Sequence, residues 1–171
     1  IECGGVLHHM NDPHKGLKSL LKVLRENGFI FIALYSELGR KDIAEARKYI
    51  SDNKLNANDN DIRSFREMIF SVRSLRKNKL FKRSDFYTIS SCRDLCFHFQ
   101  EHRFNINQLN DMIRSNHLNF HGFLLPKTVK SVYHKYFPED KLQTNLVNWS
   151  LFEKQYPDTF SNMYQFWLSK K

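Results

Sequence analysis

Seven residues constrain the fold of this chain more than any other stretch. Phe29–Tyr35 reads FIFIALY, apolar at both sets of alternating positions. A strand with two apolar faces has to be covered on both sides, as strands of a parallel sheet are. Ahead of it, Ile1–Leu7 is short and apolar with Gly4 and Gly5 inside it, and predicts a buried strand ending near His8. Asp12-Pro13 predicts a helix start, because Asp caps and Pro fits the first helical position. Leu17, Leu20, Leu21 and Leu24 then repeat on one stripe. Asn27-Gly28 predicts the stop, with Gly28 free to take the left-handed conformation. Residues 1–36 are thus expected to form a strand–helix–strand unit of an α/β protein.

From about Arg40 to Arg114 the signals are helical. Ile43, Ala46 and Ile50 mark one helix, and Ile62, Phe65, Ile69 and Val72 a second. A third is expected over Ser91–Glu101, and a fourth from Asn105, which has capping-box spacing to Gln108. Leu118–Leu125 then predicts a strand closed by Pro126. Val129, Val132, Tyr133, Tyr136 and Phe137 predict a helix stopped by Pro138, and a further helix is expected around Trp149–Tyr156. Met163–Ser169 has aromatic strand character. The expected organisation is a βαβ unit at 1–36, a helical insertion or lid at 37–116, and closing strands and helices at 117–171.

Composition narrows the class. The chain has 171 residues, one domain's worth, and 15 Phe, 7 Tyr and 2 Trp supply enough bulk for a core. No run of 18 apolar residues exists, so no membrane span is expected. No basic stretch followed by an apolar segment opens the chain, so no signal peptide is visible. Three Cys suit a reduced, cytoplasmic compartment better than a disulfide scaffold. The net charge is +9, and Arg73, Arg76, Lys77, Lys79, Lys82 and Arg83 crowd into eleven residues. That run reads either as a phosphate-binding patch or as a solvated helix end, and the solvated end is favoured. A basic, non-catalytic nucleic-acid-binding or interaction module is the alternative function, and steep salt dependence of binding would mark it.

Candidate chemistry gathers at strand ends and in one polar block. His8-His9 follows the first strand, at the edge where open α/β sheets place ligands, and Tyr35-Ser36 ends the second strand. Adjacent His in a strand point to opposite faces, so one of the two is expected to face a pocket. Cys92, Cys96, His98 and His102 invite a zinc reading. Helical spacing opposes it, because Cys92, Leu95, Cys96 and Phe99 share one face while Asp94, His98, Glu101 and His102 share another. No metal is expected. The Cys face is read as core and the His face as a polar pocket wall. Arg40 and Arg47 are expected to cover a helix surface.

The run Gly5-Val6-Leu7-His8-His9-Met10-Asn11-Asp12-Pro13, the apolar helix, Glu26-Asn27-Gly28 and FIFIALYS together resemble the second half of a class I S-adenosylmethionine-dependent methyltransferase of the type-11/type-12 group. They match the surroundings of that fold's fourth and fifth strands. Cys92-Arg93-Asp94-Leu95, His98 and Glu101-His102-Arg103-Phe104 resemble a block that follows the fifth strand in a bacterial branch, and the closing MYQFW resembles that branch's last strand.

The resemblance implies the C-terminal half of a Rossmann-like methyltransferase sheet, about four strands, with a helical insertion. It implies that Gly5, Val6, Leu7 and His8 line the methionine side of an S-adenosylmethionine pocket. His8 is the candidate catalytic residue, since imidazole titrates near neutrality. Tyr35, Ser36, Arg93, Asp94, His98, His102 and Arg103 are the candidate residues for a methyl acceptor, a small molecule or a protein, whose identity the resemblance does not give. None of the six Gly, at 4, 5, 16, 28, 39 and 122, form the G-x-G of the family's cofactor loop. The chain is therefore expected to be a fragment, partnered by an N-terminal half of the same fold and inactive alone.

Overall fold

The computed structural model describes residues 1–71, 79–98 and 100–171. Val72, Arg73, Arg76, Lys77 and Phe99 lie outside the described residues. The chain divides into two compact units, Ile1–Arg40 with Gln100–Lys171, and Lys41–Phe99. The helix from Ile106, expected within the helical block at 37–116, falls in the first unit.

The first unit is built on a four-stranded sheet in the order β1-β2-β4-β3, with β1 at Glu2–Gly4, β2 at Phe29–Tyr35, β3 at Leu118–Phe123 and β4 at Met163–Lys170. β1 runs parallel to β2, Cys3 facing Ile32. β4 is inserted antiparallel between β2 and β3, Ile32 facing Phe166. The expected parallel unit is present, but β2 has a parallel neighbour on one side only. Four strands and an α/β architecture were expected and are found.

One face of this sheet is core. Ile30, Ile32 and Leu34 of β2 and Tyr164, Phe166 and Leu168 of β4 are fully buried. They pack with Leu17 of helix α1 (Pro13–Val23), Leu109 and Met112 of α5 (Ile106–Ser115), Tyr133 of α6 (Lys127–Tyr136), and Trp149 and Phe152 of α7 (Leu146–Gln155). The opposite face, which register pairs as Phe29 with Ser169, Phe31 with Trp167 and Ala33 with Gln165, is partly open. Phe29 is 52% exposed, and the Phe31 and Trp167 rings lie 5.4 Å apart. The two-sided cover that FIFIALY demands is thus met on one side within this chain.

Local signals mostly set the element ends. The Asp12 carboxylate accepts the Lys15 N–H at 3.0 Å, with Pro13 next to it. The Asn105 and Gln108 capping box is complete. Two expectations need correction. β1 stops at Gly4, and Leu7–His9 forms a 3₁₀ turn rather than strand, so the two His do not alternate across a sheet. Gly28 does not take a left-handed conformation; α1 ends through Leu24 with extended backbone. Gly28 is small for another reason, since a Cβ there would sit 2.9 Å from Leu24 Cδ1 and 3.0 Å from the Arg25 carbonyl. In β3, Gly122 at φ +95° accompanies a register shift between Phe120 and Phe123, a bulge that needs a residue without Cβ.

The second unit has its own core. Ile43, Ala46 and Ile50 of α2 (Lys41–Asp52) meet Ile62, Phe65 and Ile69 of α3 (Asp59–Ser71) and Cys92, Leu95 and Cys96 of α4 (Ile89–Cys96). α4 ends at Cys96, five residues before the expected Glu101. Among the described residues no helix is long and apolar enough to cross a membrane.

Candidate functional site

The C-terminal ends of β1 and β2 carry an aromatic and ionic cluster that neither strand builds alone. Tyr35, the last residue of β2, is stacked by the His8 ring at 3.6 Å with 25° between planes. The Arg40 guanidinium lies 3.6 Å from the Tyr35 ring centroid. His9 meets the His8 and Tyr35 rings edge-on, at 4.5 and 5.5 Å. The 3₁₀ turn at Leu7–His9 makes this possible, because it brings adjacent His rings to one side where a strand would separate them.

A segment just before α5 crosses these strand ends and ties them together. The His102 N–H donates to the His8 carbonyl at 2.8 Å, and the Phe104 N–H donates to the Tyr35 carbonyl at 2.9 Å. The Glu37 N–H returns a bond to the Phe104 carbonyl at 2.8 Å, and Ser36 and Phe104 form a parallel bridge. Glu101 and His102 are therefore part of an extended strap and not of a helix, which corrects the helical face assigned to Asp94, His98, Glu101 and His102. The backbone amides that a longer α4 would use are taken by the strand ends.

The strap also supplies a buried ion pair. Arg40 Nε donates to Glu101 Oε1 at 3.0 Å and Nη2 to Oε2 at 2.6 Å, with both side chains 2% exposed. Arg40 Nη1 donates to Asn162 Oδ1 at 3.1 Å. Arg40 is thus not a surface residue, as the sequence suggested, because its charge is met from positions 101 and 162 and its plane by Tyr35. A desolvated cation over a tyrosine face is worth ~2 kcal/mol.

Beneath it lies a second polar knot. Ser36 Oγ donates to Glu153 Oε1 at 3.1 Å and accepts the Gly39 N–H at 3.0 Å. The Tyr164 hydroxyl donates to the Glu153 carboxylate at 2.8 Å. Burial pushes the Glu153 carboxyl above the ordinary carboxylate range, and Tyr164 is raised by its own burial and by the Glu153 charge. Gly39 lets the chain pass close by, since a Cβ would fall 1.9 Å from the Phe160 carbonyl oxygen.

The expected site residues fall into two groups. Gly5, Val6, Leu7, His8, Tyr35, Ser36, His102 and Arg103 all belong to the first unit. Of these, His8 and Ser36 are fully buried and Leu7 nearly so. Gly5 takes φ +74°, nothing lies within 4 Å of where its Cβ would be, and Val6 is 53% exposed, so the backbone after β1 borders open space. Arg93, Asp94 and His98 lie in the second unit. There Arg93 Nη2 pairs with Asp59 at 2.5 Å, and the His98 carbonyl accepts Arg47 Nη2 at 2.6 Å. Cys92 and Cys96 are buried together, and their mutual hydrogen bond lowers the Cys92 thiol. Arg83, from the basic run, is paired with Asp42 at 2.8 Å. Among the described residues no three His, Cys, Asp or Glu gather closely enough to hold a metal ion.

A cleft of about 490 Å³ opens beside the strap, lined by Asn11, Asp12, His14, Lys15, His102, Arg103 and Gln108 among others. A second cavity, about 440 Å³, lies between α6 and the end of α7 and is lined mostly by apolar groups such as Val129, Val132 and Phe152.

Comparison with known proteins places the fold. PKMT2 from Rickettsia typhi superposes with a TM-score of 0.68 over 100% of this chain and 35% of its own, at 16% identity. The same protein in complex with AdoHcy gives 0.69 over 99% of this chain and 35% of its own, again at 16% identity. An uncharacterized protein of Synechococcus sp., syc1184_c, is 30% identical over 130 residues, 72% of this chain and 31% of that protein. No protein-family profile matches the chain. The chain spans about a third of the length of the proteins it matches, and it has the fold of a corresponding portion of PKMT2.

Proposed function

We propose that this chain is a portion of an S-adenosylmethionine-dependent methyltransferase, and that the backbone from Gly5 to His8 forms one wall of its cofactor site. The observation that carries the reading is the superposition of 99% of the chain on a protein with AdoHcy bound. The local geometry fits: Gly5 and the exposed Val6 leave open space just past the C-terminal end of a parallel strand, the edge where α/β sheets take ligands. The cofactor, when bound, supplies an electrophilic methyl group on a sulfonium.

What the chain's own residues do is position. Gly5, without a Cβ, allows a ligand to approach the backbone. Tyr35 is held between His8 and Arg40, so its ring cannot swing, and the Arg40–Glu101 pair locks that clamp to the strap. His8 is enclosed, and its contacts with Tyr35 and His9 suit an orienting role better than proton transfer to an acceptor. His102 and Arg103 border the cleft beside the clamp and are assigned to the acceptor side. Alignment of donor and acceptor is where such a site would obtain its rate. The half-open sheet face around Phe29, Phe31 and Trp167 is where further chain of a longer protein would pack.

Titration of the 171-residue chain with S-adenosylhomocysteine, followed by amide NMR, tests this reading. The expected result is binding weaker than micromolar, with shifts confined to Gly4–His8 and their neighbours. Micromolar affinity, about −8 kcal/mol, would show a complete site and overturn the one-wall reading. No shift at Gly4–His8 at millimolar ligand would remove these residues from the cofactor site.

A further inference from the structure

We propose that the cleft beside the strap binds an anionic group, phosphate or carboxylate, on a small ligand. If the methyl-transfer reading holds, on which this assignment to the acceptor rests, that group belongs to the methyl acceptor. The cleft is built entirely within the first unit and has a volume of about 490 Å³, within the range of small-molecule sites. Its lining carries two cationic side chains, Lys15 and Arg103, and two imidazoles, His14 and His102, against one acid, Asp12.

Arg103 decides the argument. Arg40, Arg83 and Arg93 each have a carboxylate partner, at 2.6, 2.8 and 2.5 Å. Arg103 has no ion pair or hydrogen bond among the described residues. Its backbone is nevertheless fixed, because the His102 and Phe104 amides on either side are bonded to the His8 and Tyr35 carbonyls. Phe104 is buried, so along the extended strap the side chain of residue 103 turns the other way, outward. A guanidinium is an always-charged fork suited to carboxylate or phosphate, and here it is presented from a rigid backbone without an internal counter-ion.

Asp12 does not cancel the cleft. Its carboxylate is occupied by the Lys15 amide at 3.0 Å, which holds it below the usual carboxylate range, and it meets the Lys15 ammonium only at 3.8 Å. The helix ends that open here add little, because Asp12 caps α1 and Asn105 caps α5. The preference for an anion therefore comes from Arg103 and Lys15, with His14 and His102 at the rim.

The test is a titration of the 171-residue chain with sodium phosphate and, separately, sodium citrate, each at ionic strength held constant with sodium chloride. Amide NMR follows residues 11–15 and 102–108. Saturable shifts at both segments are expected, weakened at least tenfold by Arg103→Glu and by Lys15→Glu, both exposed positions where folding should survive. Saturation with phosphate alone assigns a phosphoryl group, and with citrate alone a carboxylate. Shifts that follow ionic strength only, or that persist unchanged in Arg103→Glu, overturn the proposal. S-adenosylhomocysteine binding, measured on the same samples, separates the two ideas. Anion binding without any cofactor shifts would leave the cleft standing and remove Gly4–His8 from the cofactor site, and the reverse result would remove only the cleft.

Discussion

Replacing Glu101 by Gln tests whether the strap is held by charge or merely rests on the strand ends. The substitution keeps shape and removes the anion that Arg40 meets through two hydrogen bonds, with both side chains 2% exposed. An exposed ion pair is worth ~0–1 kcal/mol. A buried one broken at one partner costs about 3–5 kcal/mol, because the other charge is left without compensation. At ~2–4 °C per kcal/mol for a chain of this size, the melting temperature should fall by about 6–20 °C. The only two Trp, Trp149 and Trp167, both lie in the sheet unit, so tryptophan fluorescence in urea reports that unit and not the helical one.

The companion variant Arg40→Met should cost a similar amount. The double variant Arg40→Met with Glu101→Gln should be less destabilised than the sum of the two, since no unpaired charge remains. If Glu101→Gln costs under ~1 kcal/mol, or if the two effects simply add, the pair is solvated in solution and the clamp on Tyr35 is not electrostatic.

Three further results are expected. Gly39→Ala places a Cβ 1.9 Å from the Phe160 carbonyl and should cost ~3 kcal/mol or more by urea denaturation; a loss under ~0.5 kcal/mol would mean that the backbone there is free to separate. Cys3, Cys92 and Cys96 are all buried, so a thiol reagent should label them slowly in the native chain and at once in denaturant, and rapid native labelling would contradict the packing of α4. Burial raises the Glu153 carboxyl in the folded state, so the fold holds that proton more tightly than the unfolded chain does. Its contribution to stability is full below the unfolded value near 4.5 and is lost as the pH rises through the folded one. Glu153→Gln should therefore flatten the fall of the urea midpoint above pH 4.5, and an unchanged slope would assign the effect to other groups.

The strands and most helix ends were legible because their signals are local. FIFIALY, Asp12-Pro13 and the Asn105–Gln108 box each carry their meaning within a few residues; the two caps form as read, and FIFIALY forms its strand but is covered on one face only. Gly28 was misread for the same reason: a Gly after a helix suggests a left-handed turn, while the steric demand came from Leu24 and Arg25. Cys92 and Cys96 were read as core from a helical period that does hold over those residues. The same period, carried on past Cys96, produced a helical His face that does not exist.

The candidate site was legible only in part, and its illegible half is the half that depends on distant partners. His8 and Tyr35 stand out in the sequence because strand ends in an α/β sheet are where ligands sit, a rule that needs no knowledge of distant contacts. Arg40 and Glu101 do not, because an arginine after a strand looks the same whether it meets water or a carboxylate 61 residues away. Ser36 shows the converse. Its place at a strand end suggested a ligand contact, but its hydroxyl is spent on Glu153, 117 residues on, and on Gly39. A polar residue at a functional edge is thus a candidate only until its partners are known. By that standard Arg103, on a fixed backbone and without an internal partner among the described residues, is the strongest remaining candidate on the strap.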